Sequence, residues 1–317
     1  MTFAVFIDGE EGTTGLALRD RLEGRPEFEL IHLAADKRKD INSRREALND
    51  ADVTILCLPD DAARDAVSMI EGENTRVIDA STAHRVSEGW VYGFPEMTPE
   101  HADKVRGAVR TTNPGCYSTA AIALTRPMVD TGIVPVNFPI TINAVSGYSG
   151  GGKPLISRME NTEEDDALDN TWFGYGLALA HKHVPEIQKY SVLEHPPLFS
   201  PSVARFRQGM LVQVPLQLWS LPSLPSIGEI REILQAWYKG CTFVSVATEK
   251  ETSDRVALLD AEELNGTNRL RLFVFGNEET KQVILAAQLD NLGKGAAGQA
   301  VQCLNLMLGL DETSGLD

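Results

Sequence analysis

Cysteine is scarce in this 317-residue chain: there are four, Cys57, Cys116, Cys241 and Cys303. They stand far apart, and no two are at metal-ligand spacing. That excludes a zinc-ribbon or disulfide framework and fits reduced thiols in a cytoplasmic protein with no metal. Cations are also under-supplied. Lys and Arg number 29 against 45 Asp and Glu, for a net charge of -16. Such a surplus argues against a nucleic-acid partner and against docking on an anionic membrane. It leaves an anionic small-molecule substrate open, because a pocket can be locally cationic. No apolar run is long enough to span a bilayer, and a strand pattern begins at Phe3 with no basic leader before it. The expectation is a cytoplasmic protein without a signal peptide. Internal repeats and low-complexity segments are missing as well.

What the chain does have is apolar content, 43% of 317 residues, enough for two cores. Residues 3–7 form a short apolar run of the kind that makes a buried parallel strand. The run enters Gly9-Glu10-Glu11-Gly12-Thr13-Thr14-Gly15, after which Leu18 and Leu22 share one face of a helix that Gly24 and Pro26 end. A strand, a glycine turn and a helix make the corner at which doubly wound folds bind a pyrophosphate. Gly9, Gly12, Thr13, Thr14 and Gly15 are the candidate cofactor residues. Their spacing is G-x-x-G-x-x-G, so the position directly after the first strand carries the assignment more than the motif does. A second strand, predicted over 30–34, leads to Asp36-Lys37-Arg38-Lys39. A carboxylate there would hold the ribose hydroxyls of NAD, and cations the 2′-phosphate of NADP. Three cations after one acid favour NADP(H), with Lys37 and Arg38 as candidates; the alternative is a solvated charge run.

Strands are predicted over 53–58, 76–80 and 109–112, with a helix over 60–70. The last strand feeds Asn113-Pro114-Gly115-Cys116-Tyr117-Ser118-Thr119-Ala120. Pro114 pushes Asn113 out of the helical region, and Gly115 permits angles that other residues resist. Residues 118–124 then read as a helix. Cys116 therefore stands where a loop becomes a helix, beside amide N–H groups without internal partners and the positive end of the dipole. A thiol in that position ionises more readily than a free one, and the same N–H groups can stabilise the oxyanion formed when sulfur attacks a carbonyl. The competing reading is a small buried thiol filling a gap. Cys57, inside a strand, and Cys303, on an apolar helix, fit that description.

Beyond residue 135 the pattern changes. A strand over 137–145 runs into Ser146-Gly147-Tyr148-Ser149-Gly150-Gly151-Gly152-Lys153. The glycines mark a loop of close approach or mobility, and Lys153 offers a cation to an anionic substrate. His181-Lys182-His183-Val184-Pro185-Glu186 contains alternate histidines with no third ligand at zinc spacing, so an acid/base partner for Cys116 fits better than a metal site. A strand over 209–219 carries Pro215, which suggests an edge or a bulge. Ser226 to Glu229 reads as a capping box opening a helix. Strands follow over 242–247, 270–275 and 283–289, the last two as a hairpin. The final segment is rich in alanine and glycine and suited to packing back on the first domain. The expected fold is α/β: a Rossmann-like dinucleotide-binding domain, residues 1–116 plus 296–317, and an α+β domain with a mostly antiparallel sheet, residues 117–295, for substrate binding and oligomerisation.

Taken together, these residues resemble the N-acetyl-gamma-glutamyl-phosphate reductases of the shorter variety, a family of arginine biosynthesis in the semialdehyde dehydrogenase superfamily. The resemblance rests on Phe6-Ile7-Asp8-Gly9-Glu10 with the glycine turn, on Tyr92-Gly93-Phe94-Pro95-Glu96, on Asn113-Pro114-Gly115-Cys116-Tyr117, and on Ser146-Gly147-Tyr148-Ser149-Gly150. The histidine block and Asp290-Asn291-Leu292-Gly293-Lys294-Gly295-Ala296 complete it. It runs through most of the chain; the cysteine and histidine blocks are its specific parts. It implies NADPH-dependent reduction of N-acetyl-gamma-glutamyl phosphate to N-acetylglutamate 5-semialdehyde and phosphate through a cysteinyl thioester. Cys116 would be the nucleophile and His181 the acid/base, a choice over His183 that rests on position alone. Gly12, Thr13, Thr14 and Gly15 would hold the cofactor phosphates, with Asn291 and Gly293 near the nicotinamide end. Asn113, Lys153, His183 and Glu186 would lie on the substrate side, and the assembly would be a homodimer or homotetramer. Asp79-Ala80-Ser81-Thr82-Ala83-His84-Arg85 departs from the aspartate-leucine-serine pattern of longer members, so the resemblance assigns Arg85 no role. Three rival readings are a reductase of another acyl phosphate (aspartyl or amino-adipyl), a non-catalytic dinucleotide-binding redox sensor, and a cysteine hydrolase.

Overall fold

The computed structural model describes residues 2–73, 75–161, 163 and 165–316. They divide into two compact units: Met1–Pro95, Glu100–Pro114 and Ala296–Asp317 form the first, Glu96–Pro99 and Gly115–Gly295 the second.

In the first unit, β1 (Phe3–Asp8), β2 (Phe28–Ile31), β3 (Val53–Leu56), β4 (Arg76–Asp79), β5 (Val91–Tyr92) and β6 (Arg110–Thr112) form one sheet. Its order is β2-β1-β3-β4-β6-β5, and all pairings are parallel. All of β3 is buried, as a strand covered on both faces must be. Helices α1 (Thr13–Leu22), α2 (Ile41–Asp50), α3 (Asp60–Ser68) and α4 (His101–Arg106) accompany the strands. Side chains alternate between two cores: Val5 and Ile7 pack with Leu18 and Leu22 of α1, while Phe6 packs with Leu48 of α2 and Ala63 of α3. This is the doubly wound arrangement expected from the sequence. The strand order reverses at β1 and β3, the switch point beyond whose carboxyl ends such sheets bind ligands.

Two details differ from the sequence reading. β2 starts at Phe28, paired with Phe3, rather than at residue 30. α2 has little apolar signature, since only Ala47 and Leu48 are buried; it is fixed instead by Asp40, which accepts from the Ser43 N–H at 2.8 Å.

The second unit is built on α5 (Cys116–Asp130), a helix buried along almost its whole length. It packs on a seven-stranded sheet of order β11-β12-β13-β10-β7-β9-β8. In chain order the elements are β7 (Thr141–Gly147), α6 (Gly152–Glu160), β8 (Trp172–Gly174), α7 (Val184–Tyr190), β9 (Leu198–Ala204), β10 (Met210–Gln217), α8 (Ile227–Trp237), β11 (Val244–Val246), α9 (Glu249–Asp254), β12 (Leu270–Asn277) and β13 (Gln282–Leu289). The sheet is mostly antiparallel, with two parallel pairs, β7 with β9 and β11 with β12. Ser226 and Glu229 form the capping box of α8 in both directions, as the sequence predicts.

Pro215 corrects an expectation. Its strand, β10, lies in the middle of the sheet between β13 and β7. It tolerates proline because β7 pairs with β10 only as far as Gln213, so the missing donor falls beyond that ladder. After β13 the chain makes one π-helical turn, Gly293–Ala297, and continues as α10 (Gly298–Met307), which is buried throughout. Val301 and Leu304 of α10 join Val5 and Leu18 in a core of the first unit. Its small residues allow that close packing, and Cys303 lies there with its thiol on the Gly93 carbonyl at 3.3 Å. No helix among the described residues is long and apolar enough to cross a membrane.

Candidate active site

At the switch point of the parallel sheet, Gly9 follows β1 with φ +90°, and a Cβ there would run into the Cys57 carbonyl at the end of β3. Glycine is thus required by both backbone angle and space. Gly12 donates its N–H to Gly9 O at 3.0 Å and serves as the N-cap of α1 without any side-chain cap. The first turn of α1 holds no acidic residue. Thr13 Oγ1 is buried and finds no hydrogen-bond partner among the described residues. A helix N-terminus at a switch point, with small residues and an unused buried hydroxyl, suits a phosphate group. These residues fit a dinucleotide.

Arg38 reaches the same turn. Its guanidinium lies 3.2 Å from Glu10 and 2.7 Å from Glu11, and Glu10 also pairs with His32 at 3.2 Å. Lys37 is exposed. Of the two cations singled out in the sequence, Arg38 is the one held beside the glycine turn.

The loop after β4 is tied down inside the first unit. Asp79 is fully buried and accepts from Ser81 N, Ser81 Oγ and, at 2.6 Å, from His84 Nδ1, whose ring stacks on Trp90. Arg85 donates to the carbonyls of Asn113 and Ala80 at 3.0 and 3.2 Å. Arg85 therefore braces the loop that ends at Pro114. Asn113 gives its side-chain N–H to Ala296 O at 3.0 Å, while its Oδ1 is buried without a donor among the described residues.

Cys116 is the first residue of α5, half-buried, with Gly115 as an N-cap that has no side-chain cap. The Gly115 N–H is held by Glu186 Oε2 at 3.1 Å. Glu186 is 1% exposed, and its other oxygen lies 3.9 Å from His183 Nε2. The turn carrying the thiol is thus fastened to α7. Around it stands a ring cluster: Tyr117 and His181 at 6.2 Å, Tyr175 and His181 at 5.6 Å, His181 and His183 at 4.7 Å, and Phe199 against both Tyr117 and His181. His183 is buried, whereas His181 is half-buried. The His183 N–H donates to His181 Nδ1 at 3.2 Å, so the neutral His181 ring carries its proton on Nε2.

Tyr175, between two glycines, is absent from the sequence reading, and no local periodicity marks it. Burial, with the Cys116 charge adding, pushes its phenol up to about 12. Burial likewise holds Tyr117 well above the ordinary range, helped by Tyr175 and Cys116. Both remain protonated donors at neutral pH. Tyr190, also at about 12, and Tyr238 are raised mainly by burial too. An unfolded tyrosine titrates near ~10, so the folded chain holds these protons more tightly. Their contribution to stability is complete below about pH 10 and is lost as pH rises from there towards 12. Thermal melts across that range should show a falling Tm; a flat Tm would contradict the burial of these phenols.

The other residues singled out in the sequence are placed as follows. Lys153 is exposed in the first turn of α6. Asn291 is buried and commits its amide to structure: Oδ1 accepts from Gly209 N at 2.8 Å, and Nδ2 donates to Ser149 Oγ at 2.9 Å. Gly293 leaves no room for a side chain beside the Thr267 carbonyl. Among the described residues, no group of three or more His, Cys, Asp or Glu is arranged to hold a metal ion.

Comparison with known proteins gives the class first. Residues 4–105 match the family model for the NAD binding domain of semialdehyde dehydrogenase, and residues 116–291 match its dimerisation domain. The aspartate semialdehyde dehydrogenase from Francisella tularensis shares the fold, with a TM-score of 0.69 at 12% identity over 97% of this chain and all of that one. Closer in sequence, a protein of a Nostoc species named N-acetyl-gamma-glutamyl-phosphate reductase 2 is 53% identical over 317 residues, 98% of each chain. One of the same name without the numeral, from Brucella suis, is 51% identical over 96% of this chain and 98% of its own. The chain belongs to the N-acetyl-gamma-glutamyl-phosphate reductase family.

Proposed function

We propose that this oxidoreductase reduces N-acetyl-gamma-glutamyl phosphate to N-acetylglutamate 5-semialdehyde, releasing phosphate, with NADPH, as a step of arginine biosynthesis in the cytoplasm. The observation that carries the reading is a cysteine at the uncapped start of α5 whose neighbour Tyr117 has its ring 6.2 Å from that of His181, a half-buried histidine that accepts at Nδ1 and so carries its proton on Nε2 when neutral. The names of the full-length relatives supply the substrate.

Cys116, as thiolate, attacks the carbonyl carbon of the acyl phosphate. Phosphate leaves with the electron pair of the carbon–oxygen bond, and a thioester remains, so one hard reduction becomes two easier steps. Amide N–H groups at the start of α5 stabilise the oxyanion of each tetrahedral species. What bound NADPH supplies is the hydride for the thioester carbon. His181 gives its Nε2 proton to the carbonyl oxygen as charge gathers there. It takes the proton back as the carbon–sulfur bond breaks, which frees the aldehyde and returns the thiolate. Tyr117 and Tyr175, both kept protonated, stay neutral beside the sulfur. Burial of His183 against Glu186 favours His181 for the proton transfer. Asn113, Lys153, His183 and Glu186 form the substrate side, Glu186 by way of the Gly115 amide. Gly9, Gly12, Thr13, Thr14 and Gly15 would hold the cofactor phosphates and Arg38 the 2′-phosphate, with Lys37 exposed next to it in sequence; Asn291, its amide already bonded, and Gly293 would shape the backbone towards the nicotinamide end. The functional division that goes with this is residues 1–116 plus 296–317 for the nucleotide and 117–295 for substrate and assembly. A homodimer or homotetramer is supported by the family model over 116–291 and by an open groove of about 450 Å³ on the sheet, lined by Val145, Trp172, Leu177 and Leu211 among others.

The test is a reverse assay of NADPH formation. N-acetylglutamate 5-semialdehyde should be oxidised in the presence of phosphate and aspartate semialdehyde should not; the opposite preference would overturn the substrate assignment. Cofactor choice has its own test. Arg38→Ala should raise KM for NADPH roughly tenfold, the value of one charge-assisted contact, and leave NADH kinetics unchanged. Equal effects on both cofactors would remove Arg38 from the 2′-phosphate.

A further inference from the structure

One buried ion pair has no part in the chemistry above. Lys294 is 0% exposed, and its Nζ donates to both oxygens of Glu96 at 2.8 and 2.9 Å, with the Phe243 ring 5.6 Å away. Such a pair is a poor device for stability, because desolvating two ions consumes most of what their attraction returns. Its better-attested use is to fix the register of the segments it joins.

The two segments here are unusual. Glu96 opens a four-residue stretch, Glu96–Pro99, that belongs to the second unit although the chain on either side of it belongs to the first. The stretch is anchored on α8, where Trp237 donates to the Met97 carbonyl at 3.3 Å. Tyr238, whose phenol burial and the Glu96 charge push well above its ordinary range, donates to Ala123 O of α5 at 2.9 Å. Glu96 is thereby fixed with respect to α5. Lys294 is the second residue of the π-helical turn Gly293–Ala297, in which Gly295 N–H bonds to the Asp290 carbonyl at 2.9 Å. Turns of this kind are rare and concentrate at functional sites. The residue after Lys294 touches the nucleophile: a Cβ on Gly295 would lie 2.8 Å from Cys116 Cβ and 3.4 Å from its Cα.

We propose that Glu96 and Lys294 are positioning residues for Cys116, acting through Gly295. The pair holds the π-turn in register, the turn presses the Gly295 backbone against the base of the Cys116 side chain, and Glu186 holds the Gly115 amide just before it. Between these two contacts the sulfur keeps one setting. Without the pair the turn slackens, and Cys116 gains orientations that do not lead to attack. This rests on Cys116 being the nucleophile.

The test compares wild type with Glu96→Gln, Lys294→Met and Gly295→Ala; the last removes neither member of the pair and places a Cβ against Cys116, 3.1 Å from the Asp290 carbonyl. Each is measured below its own Tm for kcat, for KM and for the rate at which iodoacetamide labels Cys116, followed by peptide mass spectrometry. A misplaced reacting group costs up to about a hundredfold, so kcat and labelling rate should fall together by about tenfold or more while KM for NADPH stays within about twofold. A lowered Tm with wild-type kcat and labelling rate would show a pair that only stabilises, and would overturn the proposal. Full activity in Gly295→Ala would overturn it even if Lys294→Met fails to fold. Labelling needs no substrate, so it reads the proposal separately; failure of wild type to use N-acetylglutamate 5-semialdehyde would count against the substrate reading alone.

Discussion

Cys116→Ala is expected to lower turnover by at least about 10⁴-fold, the scale on which removal of a covalent nucleophile acts in other enzymes. NADPH binding, followed by fluorescence titration, should persist, because the glycine turn and Arg38 lie on other elements. Cys116→Ser is the sharper variant. It keeps the helix start and the Gly115 contact with Glu186 but replaces the thiolate by a hydroxyl that stays protonated at neutral pH. Its turnover should be nearly as low as that of the alanine variant. Neither thiol of the first unit is suited to take over: burial pushes Cys57 up to about 12, helped by Asp79 and Asp8, and Cys303 is 0% exposed inside the α10 core. Full activity in either variant would remove the covalent step.

His181→Ala should lower kcat by about 10²- to 10⁴-fold, the range for loss of a positioned acid/base, with KM for NADPH little changed. Added imidazole should restore part of the activity, because the ring it replaces is half-buried and reachable. His183→Ala should resist such rescue. That ring is 5% exposed, and its loss acts through Glu186 and the Gly115 amide rather than by removing a proton carrier. If imidazole rescued His183→Ala and not His181→Ala, the two histidines would exchange roles.

The sequence discloses what is local. A run of apolar residues closed by a glycine turn marks β1 and α1. Asn-Pro-Gly before Cys116 marks a helix start, and Ser226 with Glu229 marks another. Even the close packing of α10 is foreshadowed by the alanines and glycines of the stretch that leads into it, residues 293–300. What stays hidden depends on residues far apart in the chain. Glu96 and Lys294 are separated by 198 positions, and nothing in either neighbourhood distinguishes a buried lysine from a solvated one. Lys294 sits between two glycines, a setting that reads as a flexible turn; only the tertiary fold buries it completely. Tyr175 is invisible for the same reason, since its importance lies in meeting Tyr117 and His181. Pro215 misled because its rule concerns donors that a neighbour needs, and where β7 stops is decided by the sheet rather than by the proline. Arg85 had no implied role, and its two carbonyl contacts now give it one as a brace of the Asn113 loop.

The most direct measurement is the intact mass of the enzyme mixed with N-acetylglutamate 5-semialdehyde and NADP⁺ in the absence of phosphate. With no acceptor for the acyl group, one N-acetylglutamyl unit should accumulate on Cys116, in step with a single burst of NADPH, and adding phosphate should discharge it. NADPH formed at the full rate with no acyl adduct, or with the adduct on another residue, would contradict a thioester at Cys116.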